Sequence, residues 1–170
     1  MSQSKQSIWV FADYRNYFQN RVTLQLLAKA NDLATGMNAE VCAVVFGHET
    51  DEYVAEYIAH GAQKVLVVKH PSLNRYSVEK FTFLMEKLAG DQGPEIILIG
   101  ATSFGREFAP RVAKRLGTGL TADCIGLEMT SEGHLLQVCT ALIRGLKERI
   151  QTKSDYSDYL ERCQVGKKQK

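Results

Sequence analysis

The most constraining stretch of this chain is residues 94–124, PEIILIGATSFGREFAPRVAKRLGTGLTADC. It opens with an apolar run carrying three β-branched residues, Ile96, Ile97 and Ile99, with no polar alternation. A run of that length and composition suits a strand covered on both faces, as in a parallel sheet. Gly100, Ala101, Thr102, Ser103 and Gly105 follow as small residues and hydroxyls where a strand hands over to a helix, with Ser103 the candidate N-cap. Phe108, Ala109, Val112, Ala113 and Leu116 then form one apolar stripe at helical spacing. Gly117 and Gly119 end that helix. Pro110 is comfortable only where its missing N–H falls among the free donors of the first turn, so it predicts a start at about residue 106 or 107; an earlier start puts a kink there.

The rest of the chain repeats this alternation. SIWVFA (7–12) reads as a first buried strand, and 13–20 as a polar loop carrying Tyr14, Tyr17 and Phe18. Residues 22–35 form a helix closed by Gly36, and EVCAVVF (40–46) a second strand. Thr50 caps a helix over 51–60, with Asp51 and Glu52 favourably placed in its first turn. A short third strand spans 64–68. Ser77 caps a helix to about Leu88 with Phe81, Leu84, Met85 and Leu88 facing inward. After the central helix, 121–129 is extended, Ser131-Glu132-Gly133 reads as a hairpin turn and 135–138 as a returning strand. Strands alternating with helices predict an α/β fold. The form expected is a three-layer α/β/α doubly wound parallel sheet, Rossmann-like with strand order 3-2-1-4-5, carrying a C-terminal β-hairpin. Residues 1–140 make the domain. Residues 141–170 read as a short helix over 141–150, weakened by Gly145, and a polar tail expected to be frayed or disordered.

Several function classes are excluded or disfavoured by composition. No apolar run is long enough to span a bilayer, and MSQSKQS lacks both a signal core and the Arg-rich look of a transit peptide. A bacterial cytoplasmic protein fits best, ahead of one processed in the mitochondrial matrix. Cys42, Cys124, Cys139 and Cys163 include no close CxxC pair, so reduced thiols are expected. His48, His60, His70 and His134 lie ten or more residues apart, without metal-ligand spacing. The net charge of +2 is uneven. Residues 144–170 hold eight Lys/Arg against four Asp/Glu, a net of +4 that leaves the remainder at −2. That tail is too weakly basic for nucleic-acid binding, which needs a dense basic face.

In open α/β sheets, ligands bind beyond the carboxyl ends of the strands where the strand order reverses. With the order 3-2-1-4-5 two loops line that crevice, residues 13–15 and 101–106. The second precedes a helix N-terminus, where free N–H groups favour an anion, and Thr102, Ser103 and Arg106 would complement a phosphate there. The glycines form neither GxGxxG nor GxxxxGK[ST]. The plainer reading, that Ser103 caps and the glycines pack or turn, is preferred over phosphate binding. Asp123 is read as fixing its own turn, with a partner contact as the alternative. Cys124 has no neighbouring His to activate it. No Ser-His-Asp pattern, carboxylate pair or metal motif stands out, and Arg111, Lys114 and Arg115 read as a solvated helix face or a partner contact.

Three segments carry a resemblance: IWVFAD near the start, the whole of PEIILIGATSFGREFAPRVAKRLGTGLTADC, and GLEM followed by GHLLQ. Together they resemble the N-terminal domain of the electron transfer flavoprotein alpha subunit over roughly residues 8–137. The resemblance implies a heterodimeric electron carrier whose alpha N-terminal domain is a scaffold against a beta subunit. In that family FAD lies in the alpha C-terminal domain, and many beta subunits hold AMP. Electrons pass between acyl-CoA or other dehydrogenases and an acceptor through the flavin. After Gln137 this chain departs from the family's RPAFGGN-like continuation and reads VCTALIRGLKERI, as in a truncation, a shifted frame or a short variant. The resemblance therefore implies a non-catalytic module that binds no FAD by itself, and neither nucleic acid nor membrane. The alternative is a stand-alone AMP- or ATP-binding domain using Thr102, Ser103 and Arg106, to which the glycines are loosely similar in the manner of universal stress proteins. A small hydrolase of the same fold comes third, lacking a visible nucleophile and base.

Overall fold

The structure is a computed structural model that describes residues 6–122, 124–130, 134–140, 147–151 and 165–167. Four strands, β1 (Ser7–Phe11), β2 (Glu40–Gly47), β3 (Lys64–Lys69) and β4 (Ile96–Leu98), form a parallel sheet in the order β3-β2-β1-β4. The doubly wound α/β architecture is as expected. Successive residues of β1 point to opposite sides. Ile8 and Val10 enter one core with Val41, Ala43, Val45, Leu27, Ala30, Leu33 and Tyr57. Trp9 and Phe11 enter a second with Val44, Phe46, Phe81, Met85, Phe108 and Val112. Helices α1 (Tyr17–Met37) and α2 (Asp51–Ala59) supply the first core; α3 (Val78–Gln92) and α4 (Ser103–Leu116) supply the second. A 3-10 turn at Pro71–Leu73 leads from β3 toward α3.

The fifth position of the sheet is filled differently from the order 3-2-1-4-5. A strand at Val165–Lys167 (β8) lies antiparallel on β4. Cys124–Met129 (β5) instead joins Leu135–Thr140 (β6) and Lys147–Gln151 (β7) in a separate antiparallel sheet. The burial of β5 fits this: Leu127 is buried while Glu128, on the opposite face, is exposed. A strand with one wet face suits an antiparallel ribbon rather than a doubly covered parallel slot. The expected hairpin is therefore present as β5–β6, closed by the Thr130 N–H donating to the His134 carbonyl at 2.8 Å. Its turn residues, Ser131-Glu132-Gly133, lie outside the described residues, as do Asp123 and the tail over 152–164 and 168–170. Of the helix expected over 141–150, residues 141–146 lie outside the description, and from Lys147 the chain is extended in β7. Pairing with β6 supplies hydrogen bonds that a short, glycine-broken helix would lack.

Helix ends differ from expectation for local reasons. α1 begins five residues early because the Asn16 side chain caps it, accepting from the Gln19 N–H at 3.0 Å. It ends at Asn38, in the left-handed region at φ 50, and not at Gly36, which stays helical. A Cβ on Gly36 would meet the Met129 Cβ at 3.3 Å, so that glycine serves the packing of α1 on β5. Thr50 occupies the N-cap position of α2, yet its side chain makes no capping bond. Ser77 caps α3 as expected, accepting from the Lys80 N–H at 3.5 Å. α4 begins at Ser103, so Pro110 lies inside the helix, on its exposed side. Buried Phe104 and Phe108 outweigh the hydrogen bond lost at that ring. The cap is Thr102 rather than Ser103: its hydroxyl accepts from the Gly105 N–H at 3.1 Å. Gly117 closes the helix at φ 62, as expected.

Candidate functional site

The carboxyl edge of the sheet is shaped by two close approaches. A Cβ on Gly105 would stand 1.9 Å from the Gly100 carbonyl oxygen, so the first turn of α4 lies directly against the exit of β4. A Cβ on Gly100 would meet Val22 Cγ1 at 2.8 Å, which fixes α1 on the other side. These contacts set the loop after β1 beside the loop after β4, as the crevice rule requires.

Asp13 holds the two loops together. It is only 7% exposed, and its carboxylate accepts from Arg15 Nε at 2.8 Å and Arg15 Nη2 at 2.7 Å. Its Oδ2 also accepts from the Thr102 hydroxyl at 3.2 Å. On the backbone, the Asp13 N–H donates to Thr23 Oγ1 at 3.0 Å. A buried carboxylate with a two-pronged guanidinium and a hydroxyl is fully partnered. The Arg15 guanidinium in turn lies 4.2 Å over the Phe104 ring and 5.3 Å from the centroid of Tyr76. Thr102 thus bonds both its own helix and Asp13, and the position that an anion would take at the start of α4 faces a protein carboxylate.

A cavity of about 390 Å³ opens beside this network, beyond the ends of β1 and β2. Asp13, Tyr14 and Arg15 line it, whereas Thr102, Ser103 and Arg106 do not. Ser103 and Arg106 are exposed, and Arg106 Nε donates to the Ala101 carbonyl of its own loop at 3.4 Å. The apolar wall is a cluster of rings: Phe11 stacks on Phe104 at 5.4 Å, and Phe46 meets Phe81 edge-on at 5.5 Å. The rim carries His48 and Glu49 from the loop after β2, and Glu52 and Tyr53 from the first turn of α2, none of which sequence reasoning assigned to a site. The signal was present in the acidic first turn, but its orientation toward the crevice depends on how α2 crosses the sheet.

The hydroxyls around the cavity resist ionisation. Burial, then the charge of Glu107, pushes the Tyr76 hydroxyl up to about 12, and its buried oxygen has no hydrogen-bond partner among the described residues. Burial raises Tyr14, whose hydroxyl donates to the Phe46 carbonyl at 3.0 Å. Burial, then neighbouring Glu52, raises Tyr53. In the second core, burial and then Glu40 lift the Cys42 thiol to about 11, so it is no nucleophile at neutral pH. Cys124 is half-buried at the start of β5. Among the described residues no group of His, Cys, Asp and Glu has the geometry to hold a metal ion, and no helix is long and apolar enough to cross a membrane.

Residues 8–155 match the electron transfer flavoprotein domain family. The electron transfer flavoprotein subunit alpha of Thermoanaerobacterium thermosaccharolyticum is 43% identical over 130 residues, which is 76% of this chain and 39% of that protein. The acryloyl-CoA reductase electron transfer subunit beta of Anaerotignum propionicum is 36% identical over 126 residues, 74% of this chain and 34% of that protein. Subunit LctC of the lactate dehydrogenase (NAD(+),ferredoxin) of Acetobacterium woodii is 35% identical over 147 residues, 86% of this chain and 35% of that protein. The chain therefore spans little more than a third of the length of these relatives.

Proposed function

Because this chain belongs to the electron transfer flavoprotein domain family, we propose that it works as the alpha-subunit N-terminal scaffold of an electron carrier, with FAD held outside the described residues. Its part is to present a rigid α/β wall to a beta-type subunit, while the flavin carries electrons between dehydrogenases and an acceptor.

One observation carries this reading. The crevice where an α/β sheet ordinarily takes a dinucleotide does not fit FAD. Its acids Glu49 and Glu52 face the cavity where a pyrophosphate needs donors, and Asp13 answers the start of α4 from within the protein. At about 390 Å³ the space lies near the lower end of small-molecule sites. The conclusion is a wall that supports redox chemistry without housing it.

The test is to express the full chain alone and together with a beta-type electron transfer flavoprotein subunit. Alone it purifies without visible flavin absorbance, and with the partner it co-elutes in a one-to-one complex. A stoichiometric yellow chromophore retained by the chain alone would overturn the reading, as would failure to associate with any beta-type subunit.

A further inference from the structure

Independently of the electron-carrier reading, we infer that Cys124 and Cys139 are a redox-sensitive pair, closing as a cross-strand disulfide that staples β5 to β6 on exchange with a low-molecular-weight disulfide. Register is the first ground. Cys124 of β5 stands directly opposite Cys139 of β6 in the antiparallel ladder. Residues so placed lie about 4.5–5.5 Å apart at Cα. A disulfide spans about 4.4–6.8 Å, so the strands need not separate or slide to admit one.

The second ground is the irregularity beside that rung. The register shifts between Cys124 and Gly126, which makes Ile125 the extra residue of a bulge. An unbroken register, continued from Leu127 opposite Gln137, would set Ile125 against Cys139. Strand alternation would likewise put Ile125, and not Cys124, on the face of Leu127 and Met129. Instead Ile125 is exposed, and Cys124 packs with Met129 against the core that buries Leu127. On β6, Leu135 and Gln137 are buried, and Cys139 takes the next position of the same alternation. The bulge thus brings the two cysteines to one rung and one face.

The pair also sits where a staple has most to hold. The turn end of the hairpin is already closed by the bond from Thr130 to His134. Cys124 and Cys139 lie at its open end, where the chain arrives from α4 and leaves toward β7. A bridge there closes the ribbon into a ring over the core that Leu127 and Leu135 share with α1. Cys124 is half-buried, so a small disulfide reaches it. Its thiolate attacks one sulfur of that disulfide, forming a mixed disulfide and releasing one small thiolate. The Cys139 thiolate then attacks the Cys124 sulfur and expels the second. The two protein thiols give up two electrons and two protons, and the small disulfide takes them up as two thiols.

The test equilibrates the full chain in mixtures of glutathione and glutathione disulfide, quenches in acid, alkylates and maps the peptides by mass spectrometry. One internal link, from 124 to 139, is expected, with Cys42 and Cys163 taking no part in it. The link should form at least about tenfold more readily than in the same chain unfolded in urea, because the fold holds the two positions together. The oxidised chain should melt roughly 5–10 °C above the reduced one. Cys124→Ser and Cys139→Ser should each abolish that rise, and the mapping on the unsubstituted chain decides the matter even where a variant folds poorly. A link to Cys42 or Cys163, glutathione adducts without an internal link, no preference over the unfolded chain, or a melting temperature lowered by oxidation would each overturn the proposal.

Discussion

Replacing Gly105 with alanine tests the contact that builds the carboxyl edge. The added methyl would lie 1.9 Å from the Gly100 carbonyl oxygen, 3.1 Å from its carbon and 3.2 Å from Ile99 Cγ2. Two of those three atoms are backbone, so no rotamer change relieves the overlap. The start of α4 must move by roughly 1.5 Å to restore an ordinary contact. That movement carries Phe104 and Phe108 away from Phe11, to which they now stand 5.4 and 4.7 Å between ring centres. Overpacking of this kind costs about 3 kcal/mol, and the better helix propensity of alanine returns up to about 1. The expected net loss is therefore about 2–3 kcal/mol, or roughly 5–10 °C in melting temperature for a chain of this length. Urea unfolding followed by the fluorescence of Trp9, which is 1% exposed, reads it as a lower midpoint at unchanged slope. Gly90→Ala is the control. It lies inside α3 with no atom within 4 Å of the added methyl, so it should gain about 0.5–1 kcal/mol. If the two variants behave alike, the close approach of α4 to β4 is wrong, and so is the geometry of the crevice built on it.

Two further outcomes are expected. Thr102→Ala should cost about 1–2 kcal/mol in the same assay, through loss of the Gly105 cap and the Asp13 bond, while exposed Ser103→Ala stays within about 0.5; the reverse order would return the cap to Ser103. Native Cys42 should resist iodoacetamide at pH 8 by at least about a hundredfold relative to the urea-unfolded chain, read by peptide mass spectrometry. Its thiol is held from an ordinary 9.0 up to about 11, so the folded state binds the extra proton and this contribution to stability falls as pH rises from about 9 to 11.

How much of the fold could be read in the residues depended on whether local pattern or distant contact decided each element. The strands at 7–11, 40–47 and 96–98 were legible because each is a continuous apolar run between glycine or polar punctuation. The start of α1 was not, because Tyr17 and Phe18 are 79% and 73% exposed and add nothing to an inward stripe. Thr102 and Ser103 are adjacent hydroxyls, equal as caps in sequence. What selects Thr102 is Asp13, a residue 89 positions away. Pro110 marked a helix start by its own chemistry, and the ring cluster around Phe104 overruled it.

The site shows the same division more sharply. Strand order alone points to a crevice between the loops after β1 and β4, whereas the cavity lies beyond β1 and β2, lined by residues 13–15 but not by Thr102, Ser103 or Arg106. The sign of its charge did not follow. Hydroxyls and an arginine ahead of a helix read first as a cap and only second as an anion cradle, since a sequence shows donors without showing who already holds them. In the fold a carboxylate from the neighbouring loop takes the Thr102 hydroxyl and the Arg15 guanidinium, and Glu49 before α2 and Glu52 in its first turn lie on the rim. The positive end of α4 is answered from inside the protein, and the cavity left beside it is anionic. The edge of a sheet of this fold can therefore change the sign of its lining through one buried Asp13 and two acids beside the start of one short helix.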